Sequence, residues 1–343
     1  MPDLVTLTPD GLYCPLGDFY IDPWHPVERA VITHAHGDHA RRGSRHYHGA
    51  RSGVGLLRQR LGPEAIVEGH EFGDRLTFGE TTVSFHPAGH VLGSAQIRIE
   101  AAGTVWVVSG DYKREPDPSC EPCEVVPCEV FITEATFALP IYRWEAVDQV
   151  LEALLGWWEG NAAAGRASVL FCYALGKAQR VLAEIGQRAD RPVFVHGAIE
   201  ALLDAYRHEG VALAPTVPVG PRRKGESFAG ELIIAPPSAF GSPWLRRFGD
   251  SSTAFASGWM RVRGNRRRRG FDRGFVLSDH ADWPALLRTI EQTGAKRVLA
   301  THGYSDALAR YLREIGLAAE PLETWFGDEA EDADSDQIAV MKV

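Results

Sequence analysis

The run Thr33-His34-Ala35-His36-Gly37-Asp38-His39 places three histidines and an aspartate within six residues, directly after the apolar stretch Ala30 to Thr33. Imidazole nitrogen and carboxylate oxygen suit a borderline cation such as Zn²⁺, at bond lengths of about 2.0 to 2.2 Å. In a loop beyond a strand, His34 and His36 can converge on one ion while Asp38 and His39 face another. Two such ions roughly 3.5 to 4 Å apart can share a bridging hydroxide, the arrangement used for in-line attack on phosphorus. A surface histidine cluster is the competing reading, and it leaves the ligand count unexplained.

Each ion then needs more ligands, which should end other apolar runs. Pro87-Ala88-Gly89-His90 follows the run to His86, Ser109-Gly110-Asp111 ends the run from Thr104, and Ala300-Thr301-His302-Gly303 ends the run from Lys296. A lone histidine is more often a satisfied structural residue than a ligand. Three coincidences at strand ends reverse that balance.

The first third reads as short strands broken by turns: Ala30 to Thr33, Thr82 to His86, Gln96 to Glu100 and Thr104 to Ser109. From Val147 strands and helices alternate, with Ser168 to Cys172 before a helix over Lys177 to Gln187. Pro192 to Val195 precede a helix over Ile199 to His208, and Glu231 to Ala235 follow as a strand, the pattern of a small parallel α/β unit. Single strands return at Gly274 to Leu277 and Lys296 to Thr301, around an amphipathic helix over Trp283 to Gln292. The organisation expected is a discontinuous first domain, residues 1–138 and 270–327, interrupted by an α/β insertion at 139–269 and followed by an acidic tail at 328–343.

The chain has 343 residues, 45% of them hydrophobic and 24% charged, enough for a large buried core. Neither a leader-like start nor a run approaching roughly 18 apolar residues is present, so a cytoplasmic protein without a membrane role is expected. Five cysteines in so long a chain read as reduced thiols. Cys120, Cys123 and Cys128 offer three thiolates with no nearby histidine, an incomplete set for structural zinc. The net charge of −9 falls to about −3 without Asp328, Glu329, Glu331, Asp332, Asp334 and Asp336, so global charge does not decide the substrate.

The block His34-x-His36-x-Asp38-His39, with His90 in Ala-Gly-His-Val-Leu-Gly-Ser-Ala and Asp111 in Ser-Gly-Asp, resembles the metal motifs of the metallo-β-lactamase superfamily. Thr133-Glu134-Ala135-Thr136-Phe137, Ser278-Asp279-His280-Ala281-Asp282 and Thr301-His302-Gly303 resemble the three further motifs of its β-CASP nucleases. The resemblance runs from about Asp22 to His302. Its spelling is similar to bacterial ligase-associated DNA exonucleases and, beyond them, to mRNA 3′-end processing nucleases. It implies an α/β fold, an αββα sandwich with an inserted α/β β-CASP domain. It further implies that His34, His36 and His90 hold one metal, that Asp38, His39 and His302 hold the other, that Asp111 bridges, and that Asp22 orients the ligand loop. Two Zn²⁺ are the expected ions, with Mn²⁺ able to occupy such N/O sites.

On that reading a metal-bridged hydroxide attacks phosphorus while Asp38 holds it. His280 is the candidate general acid, with Glu134 hydrogen-bonded to it. Phosphate contacts are expected from Arg261, Arg263, Arg266 and Arg267, in an arginine run that also includes Arg268 and Arg269, and a solvated charge run competes with that role. Trp259 beside the run suits either base stacking or a core position. Gly176, Lys177 and Gln179 resemble the Gly-basic-x-Gln turn of β-CASP inserts, which implies a backbone phosphate contact, and helix capping competes with it. The function expected is DNA end processing by an exonuclease in repair, with a DNA ligase and a helicase as partners. An RNA nuclease is the nearest rival, and a small-molecule metallo-hydrolase is a second. His25, His46, His48, His70, His86, His196 and His208 carry no motif and are read as structural or surface residues.

Overall fold

The computed structural model describes residues 3–220, 227–262 and 270–324. The run Arg263 to Arg269 and the acidic tail lie outside them. The described chain divides into two compact units, one holding residues 3–143 and 280–324, the other residues within 144–279.

The first unit opens with a six-stranded sheet in chain order: β1 (Thr6–Thr8), β2 (Gly11–Cys14), β3 (Phe19–Ile21), β4 (Arg29–Val31), β5 (His46–Ala50) and β6 (Ile66–His70). The first three pair antiparallel, and β3 to β6 run parallel. Helix α1 (Val54–Leu61) connects β5 to β6, the crossover that a parallel pair requires. Four antiparallel strands follow, β7 (Leu76–Phe78), β8 (Thr81–Pro87), β9 (Ala95–Ala101) and β10 (Thr104–Val108), and then β11 (Val130–Glu134) pairs parallel with β10. In β9 Ile97 and Ile99 alternate with Arg98 and Glu100, so one face is apolar. Phe19, Ile21 and Val31 of the first sheet share a buried core with Phe85, Ile97, Ile99, Val108 and Ile132 of the second.

The second unit holds α2 (Val147–Ala163), β12 (Ala167–Phe171), α3 (Lys177–Gly186), β13 (Val193–Val195), α4 (Gly197–His208), β14 (Thr216–Pro218), β15 (Leu232–Ala235), β16 (Ser251–Ala256) and β17 (Arg273–Phe275). Its sheet has the order β14-β13-β15-β12-β16-β17, and every recorded pairing is parallel. Strands β12 and β15 are buried along their whole length, as expected of a parallel sheet covered on both faces.

The chain then returns to the first unit with α5 (Trp283–Thr293), β18 (Arg297–Thr301), α6 (Ser305–Glu314) and β19 (Ala318–Pro321). Strand β18 joins β11 in parallel and completes a seven-stranded sheet. Asp282 caps α5 by accepting from Ala285 N at 3.0 Å, Pro284 occupies its first turn, and left-handed Gly294 ends it. Leu286 and Ile290 of α5 and Leu308 and Leu312 of α6 cover the outer face of the second sheet, against Phe131 and Val298. The first unit is therefore two sheets about one core, with helices on the outside.

Candidate metal centre

The loop after β4 is held open by neighbouring backbone. Ile32 N donates to His48 O at 2.8 Å, and Ala95 N donates to Thr33 O at 2.8 Å. Behind this loop stands Asp22, one residue past β3, with a left-handed φ of 44°. Its Oδ1 accepts from Thr33 N at 2.8 Å, and its Oδ2 accepts from Thr33 Oγ1 at 2.6 Å and faces His39 Nδ1 at 2.7 Å. A carboxylate can only accept, so His39 Nδ1 carries the proton and Nε2 is turned toward the cluster.

The other ligand candidates arrive from strand ends. His90 lies in the turn after β8, where His90 N donates to Ser94 Oγ at 3.0 Å. Asp111 follows β10 and His302 follows β18. His302 has a φ of 60°, a conformation non-glycine residues seldom hold outside functional or over-determined positions. Gly303 then turns away, and a Cβ there would stand 2.6 Å from Thr136 Cα.

Two groups of donor atoms result, each within 4.8 Å of one another: His34, His36, His90 and Asp111 in one, and Asp38, His39 and His302 in the other. His36 Nδ1 lies 3.0 Å from both His34 Nε2 and His90 Nε2. One oxygen, Asp111 Oδ2, stands 3.4 Å from His34 Nε2, 3.6 Å from His90 Nε2 and 3.5 Å from His39 Nε2. His39 Nε2 is also 3.6 Å from Asp38 Oδ2. A tetrahedral ion with bonds of about 2.05 Å separates its ligand atoms by about 3.3 Å, so the 3.4 to 3.6 Å spacings about Asp111 and Asp38 are ligand edges rather than good hydrogen bonds. The donor set fits a pair of divalent cations with Asp111 between them.

Burial and charge shape the cluster further. Burial pushes the His34 imidazole well below its usual range, reinforced by His39 and His90 and opposed by Asp111. His39 moves the other way: burial works to lower it, but the carboxylates of Asp38, Asp111 and Asp22 outweigh burial and raise it. Asp111 is held low against its own burial, with His39 the main cause. Burial lowers His302. The carboxylates thus favour positive charge at His39, while burial favours the neutral forms of His34 and His302.

Glu134, at the end of β11, links the cluster to His280. Its Oε1 accepts from Tyr112 N at 2.7 Å, and its Oε2 lies 2.9 Å from His280 Nδ1. Ala281 N donates to Tyr112 O at 2.7 Å and fixes the next residue. His280 also packs on His90 with ring centroids 4.6 Å apart.

The remaining site candidates lie in the second unit. Lys177 is buried, with Nζ 2.7 Å from Asp279 Oδ2, and Arg180 NH1 is 3.3 Å from Asp279 Oδ1. Gln179 is fully buried, its Oε1 accepting from Gly176 N at 2.7 Å and its Nε2 donating to Ala174 O at 2.9 Å. Both side chains are spent inside the fold. Arg261 is exposed, 3.3 Å from Glu145 Oε1. Arg263, Arg266 and Arg267 lie outside the described residues. Sequence reading passed over Thr33, whose place between Asp22, His34 and His39 is signalled only by its adjacency to the ligand block. It also passed over the pairing of His48 with His70.

No family model matches the chain. It is 34% identical over 315 residues to a protein of Opitutus terrae named probable DNA ligase, which covers 90% of this chain and 30% of that protein. It is 34% identical over 122 residues to the endoribonuclease ysh1 of Aspergillus fumigatus, 34% of this chain and 14% of that protein. The chain thus spans less than a third of the length of these curated relatives. A crystal structure of a protein of unknown function from Enterococcus faecalis aligns with a TM-score of 0.58 at 13% identity, covering 86% of this chain and 79% of the other. That likeness concerns the fold alone. Among the described residues no helix is long and apolar enough to cross a membrane.

Proposed function

We propose that the chain is a metal-dependent nuclease of the metallo-β-lactamase superfamily, β-CASP branch, and that it acts as a DNA exonuclease in end processing. The observation that carries this reading is Asp111 Oδ2, a single oxygen 3.4 to 3.6 Å from imidazole nitrogens of both ligand groups. The layered first unit and the parallel second unit support a sandwich interrupted by a β-CASP insertion, but the insertion then extends past 269, since β17 (Arg273–Phe275) pairs with β16 and the second unit runs from 144 to 279. Relatives named for RNA cleavage and for DNA ligation support a nucleic-acid substrate, and the second supports a ligase as partner.

His34, His36 and His90 would hold one ion, Asp38, His39 and His302 the other, with Asp111 shared. Such ions supply a nucleophile from water at neutral pH and offset charge on the phosphoryl oxygens, and Zn²⁺ is the ion best suited to histidine-rich ligation. The chain's own residues do the rest. Asp22 fixes the His39 tautomer, and Glu134 Oε2 accepts from His280 Nδ1, leaving Nε2 as the nitrogen that can pass a proton to the departing oxygen. Arg261 and its arginine neighbours are the proposed phosphate grip, whereas at the turn of Gly176, Lys177 and Gln179 a backbone contact would have to displace Gln179 Oε1, which accepts from Gly176 N.

The relatives named endoribonuclease favour a second reading, cleavage of RNA by the same centre. Matched end-labelled DNA and RNA strands, with each terminus blocked in turn, separate the two. Stepwise shortening of DNA from one free end is expected. Internal cutting of RNA alone would replace the first reading by the second, and no cleavage of either polymer by fully metal-loaded protein would overturn both.

A further inference from the structure

A further group of side chains with atoms able to ligate a metal, His48, Glu68 and His70, stands apart from the centre described above. Parallel strands β5 and β6 pair with His48 opposite Glu68 and Ala50 opposite His70. Since side chains two apart share a face, His48, Glu68 and His70 all project from the same side of the sheet. His48 and His70 are buried, whereas Glu68 is largely exposed. The two imidazoles lie at the rim of the core between the sheets: His48 meets Phe78 at 5.0 Å between ring centroids, and His70 stacks on Phe85 at 5.5 Å.

His48 Nδ1 and His70 Nε2 face each other at 3.0 Å. The Glu68 carboxylate approaches those same two nitrogens, 3.7 Å from His48 Nδ1 and 4.0 Å from His70 Nε2. A hydrogen bond between neutral imidazoles accounts for the first distance, but it gives no reason for a carboxylate to flank both nitrogens. Three donors around one point do, because a tetrahedral ion needs edges of about 3.3 Å and an exposed glutamate can swing to close the longer two. The proposed catalytic cluster offers an internal standard. Its group of Asp38, His39 and His302 also combines two histidines with one carboxylate, and the His39 and His302 rings lie 5.2 Å apart at 12°. The His48 and His70 rings lie 5.3 Å apart at 21°.

The geometry points to a third cation site formed by His48 Nδ1, His70 Nε2 and the Glu68 carboxylate, which takes a late first-row divalent ion such as Zn²⁺ and pins strand β6 to β5 at the edge of the sheet. Both imidazoles are kept below their ordinary range, chiefly by burial, so their nitrogen lone pairs are available at neutral pH. The Glu68 side chain is exposed, so water can reach an ion held there. The role is a staple: β6 is the outermost strand of its sheet, and no strand pairs on its other side among the described residues.

The test uses the full chain carrying His36→Ala, which cripples the first cluster without touching this group. Added Zn²⁺ should raise the melting temperature, and elemental analysis after desalting should show one more ion per chain than in the same background carrying His70→Gln. Glu68→Ala, on an exposed residue, should weaken that ion's retention while circular dichroism stays unchanged. This readout is independent of any nuclease activity. Equal zinc content and equal zinc-induced shifts with and without His70→Gln and Glu68→Ala would overturn the site and leave a neutral histidine pair. If His70→Gln does not fold, the Glu68→Ala comparison alone decides between the two outcomes.

Discussion

Replacing Asp22 by asparagine exchanges one oxygen for an amide nitrogen, and the surrounding geometry dictates the consequence. In the native protein Oδ1 takes Thr33 N–H at 2.8 Å, while Oδ2 meets Thr33 Oγ1 at 2.6 Å and His39 Nδ1 at 2.7 Å. The backbone donor cannot turn, so the asparagine oxygen stays on Thr33 N and the new NH₂ faces His39. The Thr33 hydroxyl can rotate to accept. His39 can accept only by moving its proton to Nε2, the atom that points at Asp111 and Asp38. If the amide flips instead, two donors meet at Thr33 N, and a buried unsatisfied N–H costs about 1–3 kcal/mol. Either route taxes cation binding by about that amount, roughly 5- to 150-fold in affinity, and losses of about 10- to 100-fold are typical when such a ligand-orienting partner is removed. The loss should fall on the ion of the Asp38, His39 and His302 group and spare the ion of His34, His36 and His90. Competition against a chromophoric chelator reads the two affinities separately, with denaturant unfolding of the metal-free protein as the control for stability. Unchanged affinity for both ions in Asp22→Asn would show that Asp22 does not set the His39 tautomer.

Further consequences follow from the same geometry. His280→Ala should retain full metal content while slowing cleavage by about 10²- to 10⁴-fold, whereas His36→Ala should lose metal and activity together, as read by elemental analysis and a single-turnover assay. Burial pushes the Cys123 and Cys128 thiols up to about 12, so both stay protonated at neutral pH. At pH 8 the thiolate fraction is about a thousandfold below that of a free cysteine, and higher intrinsic nucleophilicity offsets part of this, so alkylation should be slowed about fifty- to a hundredfold and should accelerate as pH rises past 10. Gly93→Ala, at a φ of 69° where a Cβ would sit 2.2 Å from Gly53 N, should cost about 2–4 kcal/mol in denaturant unfolding and lower metal content through the neighbouring His90 turn. Asp279→Asn removes the anion between buried Lys177 and Arg180 and should destabilise by about 3–5 kcal/mol, measured as a lower denaturant midpoint.

What could be read from sequence divides according to how far apart in the chain the interacting groups lie. His34, His36, Asp38 and His39 announce themselves because one loop carries them all, and α5 is legible because Asp282, Pro284 and Gly294 punctuate it locally. Helix α2 is harder to delimit, since its N-cap is Ala146 and no side chain caps it. Asp22 acquires a partner only through strand register: Ile21 pairs with Val31, which carries Asp22 to Thr33. His302 depends likewise on β11 pairing with β18 in the register that sets Glu134 beside Thr301. A motif family supplies those two placements, because it summarises register that a single sequence does not spell out. Where no motif exists, the same kind of register stays hidden. Lys177 occupies a strand-to-helix turn suited to an anion, yet its charge is taken by Asp279, about a hundred residues later. His48 and His70 stand 22 residues apart on strands with unremarkable spelling, and nothing before the pairing of β5 with β6 marks them as neighbours. Chemistry carried by one loop is thus written in composition and spacing, whereas chemistry assembled across a sheet is written in which strand lies beside which. The catalytic reading and the proposed third site differ in just this respect: the first has a local nucleus from which its distant ligands could be sought, and the second is made entirely of register.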